Sequence, residues 1–217
     1  MKIAVMQPYF CPYLGYFQLV NAVDLFVFYD DVQYIKRGFV NRNTLKNEFK
    51  FTIPVSNAST KLQLNEVLIN WDNVFFKDFA ISLRHLYSKS MNFDAVSSIL
   101  NDLFQSKPET ISQLAIDSIT SFSQLLGVTT QFKRSSELEY EKTENRALNL
   151  INICKAEDCD HYINSIGGMD LYLKEFFLGE GIMLNFLEPA KSLSIIDVCM
   201  KGPLNEVSQE LDNFKLI

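Results

Sequence analysis

Two short apolar runs separated by an amphipathic segment constrain this fold more than any other feature of the chain. Residues 2–6 (KIAVM) and Leu25–Tyr29 (LFVFY) have the length and β-branched or aromatic content of strands buried on both faces. Between them, Pro8 and Pro12 break the backbone into a tight loop, because proline holds φ and restricts the residue before it. From Tyr13 the period changes: Tyr16, Leu19, Val20 and Val23 fall at i, i+3, i+4 and i+7, one helical face ending near Asp24. Strand, loop, helix and parallel strand make a βαβ unit.

The same alternation returns at the other end. Val128–Lys133 (VTTQFK), His161–Asn164 (HYIN) and Ile182–Phe186 read as strands, with helices from a Thr143-Glu144 cap to about Ala156 and over Met169–Leu178. Gly167-Gly168, Gly179 and Gly181 mark turns, and Leu193–Met200 leads to a last helix from about Leu204. Phe49–Val55 reads as an edge strand because of Pro54. Residues 73–126 carry apolar spacings of three and four over about three helices, the third opened by Pro108-Glu109. The expectation is a single α/β domain over 1–217: three layers around a mostly parallel sheet, HUP/nucleotidyltransferase-like, with strand order 3-2-1-4-5. A helical insertion occupies 73–126 and a C-terminal segment, 190–217, packs on the domain.

Composition sets the class. Apolar residues at 47% and charged residues at 21% are those of a packed globular chain, so disorder is not the default reading. A net charge of −6 excludes general nucleic-acid binding, which needs clustered Lys and Arg, but allows a small anion held by local cations. The first apolar run is too short for a signal peptide and no stretch reaches the roughly 18 apolar residues of a membrane span, so a cytoplasmic protein is expected. Cys11, Cys154, Cys159 and Cys199 form no zinc spacing and read as reduced thiols; no metal site is expected.

Ligands of open parallel sheets bind beyond the carboxyl ends of the strands, where the strand order reverses. Four strand ends bring polar or glycine residues to that edge. The first supplies Gln7, Pro8, Tyr9, Tyr13, Gly15 and Tyr16, and the second Asp30, Asp31 and Gln33, followed by Lys36, Arg37, Asn41 and Arg42. The third supplies Ser135 and Ser136, and the fourth Asn164, Gly167 and Gly168. Gly15 in the opening turn of a helix costs roughly 1 kcal/mol against alanine, which close approach of a phosphate or carboxylate would explain. Tyr13 and Tyr16 stand where nucleotidyltransferases and class I aminoacyl-tRNA synthetases carry the histidines of a His-x-Gly-His signature, and a phenol can donate to phosphate without being charged. Tyr16 can equally pack its ring under the sheet. Asp30 or Asp31 can act as a general base, with Tyr13, Tyr16 and Lys36 as further catalytic candidates and Arg37 and Arg42 as phosphate ligands. A solvated loop with self-paired charges is the alternative. His85 and His161 read as structural.

The stretch MQPYFCPYLGYFQLVNAVDLFVFYDDVQYIKRGFVNRN closely resembles the opening of the WbqC-like proteins. FTIPV (51–55), GVTTQFKRSSEL (127–138), YINSIGGMDLY (162–172), GIMLNFLEP (181–189) and LSIIDV (193–198) extend the resemblance over almost the whole chain. It implies an enzyme of O-antigen or other surface-polysaccharide synthesis that transfers an aminoacyl group, suggested to be glycyl, to an amino-sugar nucleotide. The cofactor is left open, with ATP the candidate, and the amino-acid donor would be free or tRNA-linked. A nucleotidyltransferase making an activated sugar, or a non-catalytic partner of glycosyltransferases, are the alternatives. The chain departs from the family pattern at Asp78, where a histidine is expected, and between Glu188 and Leu193, where a Tyr-x-Gln element is missing.

Overall fold

The structure, a computed structural model, describes residues 1–189 and 193–217. Its centre is a sheet in which β1 (Lys2–Met6), β2 (Leu25–Phe28), β5 (Gln131–Arg134), β6 (His161–Ser165) and β7 (Met183–Pro189) run parallel, in the order β5-β2-β1-β6-β7. The short β8 (Phe214–Leu216) joins the β7 edge antiparallel. Side chains of the inner strands alternate between two cores. Ala4, Phe26 and Phe28 point to one, and Ile3, Val5, Leu25 and Val27 to the other. A period of two with both faces apolar is what a central parallel strand requires.

The first core is covered by α1 (Leu14–Asn21), by α2 (Phe75–Tyr87), α3 (Phe93–Gln105) and α4 (Ile111–Leu125), and by the C-terminal α7 (Ile195–Lys201) and α8 (Leu204–Glu210). The second is covered by α5 (Arg146–Ala156) and α6 (Lys174–Gly179). Helices therefore lie on both faces of a mostly parallel sheet, as the alternating order predicts. Among the described residues, no helix is long and apolar enough to cross a membrane.

Several local expectations change. Residues 42–52 form an antiparallel hairpin, β3 (Arg42–Leu45) with β4 (Phe49–Thr52), so the strand expected over Phe49–Val55 ends at Thr52 and pairs apart from the parallel sheet. The cap of α5 is Asn145, whose side chain accepts from the amides of Ala147 and Leu148; Thr143 instead holds Asn145 in place. The helix expected from Met169 begins only at Lys174, because the chain first closes a tight turn over 166–168 with Leu171 and Tyr172 donating back to the Gly168 carbonyl. Of the stretch read as shortened between Glu188 and Leu193, residues 190–192 lie outside the described residues.

Candidate functional site

Ladder hydrogen bonds decide where the sheet opens. β1 pairs with β2 over four positions, from Ile3–Leu25 to Met6–Phe28, but with β6 only at Lys2–His161 and Ile3–Tyr162. Beyond Ile3 the two strands part. The Tyr162 hydroxyl donates to the Val5 carbonyl at 3.3 Å, a peptide group that the β1–β6 ladder leaves unpaired. β2 lies on one side of β1 and β6 on the other, so the gap is also the point where the chain reverses its direction across the sheet.

A cleft of about 730 Å³ occupies this gap. Gln7 and Tyr9 line it from the end of β1, and Tyr29, Gln33 and Ile35 from the end of β2. Asn164, Gly167 and Gly168 close it from β6, and Glu144, Arg146 and Asn149 from the start of α5. The volume is that of a small-molecule site. Two further grooves, of about 300 and 580 Å³, lie between α2 and α3 and between α3 and α4, away from the strand ends.

The polar atoms in the cleft are largely neutral. Asn164 is nearly buried; its Oδ1 accepts from the Ser165 amide at 2.8 Å, and its Nδ2 meets no protein acceptor among the described residues. A Cβ on Gly168 would sit 2.6 Å from that Nδ2, so glycine here makes room for the Asn164 amide. At Gly167, by contrast, an added Cβ would have room, its nearest contact being Ser165 Oγ at 3.9 Å. Tyr9, Tyr29 and Tyr172 are all held in the phenol form: burial pushes Tyr9 up to about 12, with Tyr13 adding, and raises Tyr29 and Tyr172, the latter against the pull of Arg146. They are hydrogen-bond donors at neutral pH, not bases.

Asp30 and Asp31 do not line the cleft. Asp30 is fully buried, and its carboxylate accepts from the Ser136 amide at 3.1 Å, the Ser136 hydroxyl at 2.9 Å and the Ser135 hydroxyl at 3.3 Å. It ties the end of β2 to the turn after β5. Asp31 is held by the Ser135 hydroxyl and by an ion pair with Lys142, its side chain 3% exposed. Ser135 and Ser136 are thus partners of these carboxylates. The carboxylate that does stand in the cleft wall is Glu144.

The loop before α1 also departs from expectation. The N-terminus of α1 is covered by protein: the Leu14 amide donates to the Leu193 carbonyl at 2.8 Å, and the Ile195 amide returns to the Pro12 carbonyl at 2.9 Å. What approaches Gly15 is the Pro189 ring and the Tyr13 ring, which an added Cβ would meet at 2.6 and 2.7 Å. Tyr16 is fully buried, donates to the Gln7 carbonyl at 3.0 Å and lies 5.4 Å from the Phe26 ring, so it packs under the sheet. Pro8 is buried, and Asn41 is spent on the Ile53 carbonyl at 2.8 Å and the Tyr34 hydroxyl at 3.3 Å.

Tyr13 and Arg42 line a second pocket, of about 330 Å³, with Phe10, Phe39 and Thr44. Tyr9 belongs to both cavities. Lys36 and Arg37 are exposed on the turn that runs from Ile35, in the cleft wall, to Phe39, in the second pocket. The residues expected to form one pocket therefore divide into two adjoining ones and a buried layer behind them. Tyr29, Phe39, Glu144, Arg146 and Asn149 were not foreseen. Arg146 carried a signal: a cation at the first position of a helix opposes the helix dipole and so calls for another reason to be there.

Comparison with known proteins follows the same span of chain. The model of the WbqC-like protein family matches residues 7–209. An uncharacterized protein of Mycobacterium tuberculosis (strain H37Rv), Rv1507c, is 28% identical over 171 residues, which cover 75% of this chain and 71% of that protein. No solved structure gives a significant match.

Proposed function

The chain belongs to the WbqC-like protein family, and from that membership and its cleft we propose a transferase that places an aminoacyl group, glycyl in the first instance, on an amino-sugar nucleotide for surface-polysaccharide (O-antigen) synthesis. One observation carries the reading: the parting of β1 and β6 opens a cleft whose polar lining is mostly side-chain amides and neutral phenols. Such groups both donate and accept, as a polyhydroxylated sugar requires, while Arg146 supplies a positive charge. In the step, the sugar amine attacks the carbonyl carbon of an activated glycine. A C–N bond forms, the bond from that carbon to its leaving oxygen breaks, and the ammonium proton passes to a carboxylate. Glu144 suits that role better than Asp30 or Asp31, because it faces the cleft and they do not.

The test is to incubate the purified protein with ATP, glycine (free or on tRNA) and a panel of amino-sugar nucleotides, and to look for the glycyl amide by mass spectrometry. Glu144→Gln is expected to slow amide formation by about 10²–10⁴-fold. Absence of amide from every combination would overturn the reading. The parallel strands, counted in chain order, lie third-second-first-fourth-fifth across the sheet, which supports a HUP/nucleotidyltransferase-like relation and favours nucleotidyl transfer to a sugar phosphate as the second reading. Pyrophosphate release from a nucleoside triphosphate and a sugar phosphate would select it. The covered N-terminus of α1 counts against it, since the Leu14 amide is already given to the Leu193 carbonyl and the Tyr16 amide to the Tyr13 carbonyl.

A further inference from the structure

Two cavities that share one tyrosine invite a ligand with two chemically different ends. The second pocket is walled by the rings of Tyr9, Phe10, Tyr13 and Phe39, with Arg42 among its few polar residues. The Tyr9 and Phe39 rings stand 6.3 Å apart and inclined by 54°. Phe39 is 70% exposed, a bare phenyl ring at the pocket edge. Arg42 gives its Nε to the Gly38 carbonyl at 2.8 Å, and its terminal nitrogens meet no acceptor among the described residues. Ring faces with a guanidinium beside them suit a flat heterocycle carrying an anionic group; they do not suit a sugar, whose hydroxyls would go unpaired. The cleft has the opposite character, rich in amides.

We propose that a nucleotide sugar lies across Tyr9, its base in the aromatic pocket and its glycosyl end in the cleft. The diphosphate then passes the turn that carries Lys36 and Arg37, between Ile35 and Phe39, with Arg42 on the base side. Tyr9, held as a phenol by burial, donates a hydrogen bond at the waist of the ligand. The proposal rests on the transferase reading above and adds to it the orientation of the substrate and the identity of the base-binding residues.

Calorimetric titration with the four ribonucleoside monophosphates and with the amino-sugar nucleotide used in the amide assay tests it. At least one monophosphate should bind the wild-type protein. Phe39→Leu, which keeps apolar bulk on an exposed site but removes the π-face, should weaken that binding about tenfold, and Phe39→Trp should restore it. Gln7→Ala, in the cleft, should leave monophosphate affinity unchanged and weaken the whole sugar nucleotide. Monophosphate binding that ignores Phe39→Leu, or that is lost in Gln7→Ala, would overturn the orientation while leaving the transferase reading intact. Amide formed on a free amino sugar, with no nucleotide bound, would overturn the base site alone. Failure of the amide assay with normal, Phe39-dependent monophosphate binding would overturn the transferase reading and keep the base site.

Discussion

Replacing Gly15 by alanine separates packing from ligand approach as the reason for that glycine. In the structure an added Cβ would lie 2.6 Å from Pro189 Cβ and 2.7 Å from Tyr13 Cε2, against about 3.5–4 Å for relaxed carbon contacts. The helix α1 is buried along its length, so relief requires moving the helix or the chain at Pro189. Overpacking of this kind costs about 1–3 kcal/mol. Alanine recovers at most about 1 kcal/mol of helix propensity. With two contacts below 3 Å the clash is set at the middle of that range, about 2 kcal/mol, and the net expectation is a loss of about 1–2 kcal/mol, or a fall in Tm of roughly 2–8 °C for a chain of this size. Gly179 supplies the control: it ends α6 with open space around a built Cβ, so Gly179→Ala should be neutral or stabilising by up to about 1 kcal/mol. Urea melts followed by far-UV circular dichroism would measure both. A Gly15→Ala protein as stable as the wild type, or as Gly179→Ala, would refute the packing account and return Gly15 to the ligand.

Other outcomes follow from the buried polar layer. Asp30→Ala leaves the buried Ser136 amide and hydroxyl without their acceptor, so it should cost on the order of 3 kcal/mol and lower Tm by about 6–12 °C; a variant with wild-type stability but no activity would instead mark Asp30 as the catalytic base. All nine tyrosines are raised by burial above their ordinary value. The unfolded chain therefore ionises first, near pH 10, so stability should hold below about pH 10 and fall as pH rises towards the folded values. Tyrosinate absorbance should lag in the native protein relative to the urea-unfolded one; a native midpoint of about 10 for every tyrosine would contradict the burial.

Local periodicity carried the architecture. KIAVM and LFVFY announce central strands because both of their faces are apolar, and the spacing of Phe75, Phe79 and Leu83 or Val96, Leu100 and Leu103 announces helices; both signals lie within a few residues. The cleft residues Gln7, Asn164, Gly167 and Gly168 could be named for the same reason, since a strand end and a glycine turn mark the edge where parallel sheets bind ligands.

What the chain alone left open was decided by contacts between residues far apart. Asp30 looks like a free carboxylate until Ser135 and Ser136, more than a hundred positions later, close over it. The N-terminus of α1 looks like an anion site until Leu193 takes its first amide. Hydrophobic period is a property of neighbours along the backbone, so the sequence alone determined the layers and the strands. Which polar groups are satisfied by protein and which remain for a ligand depends on pairings that exist only once the sheet has formed, and that the tertiary structure decided.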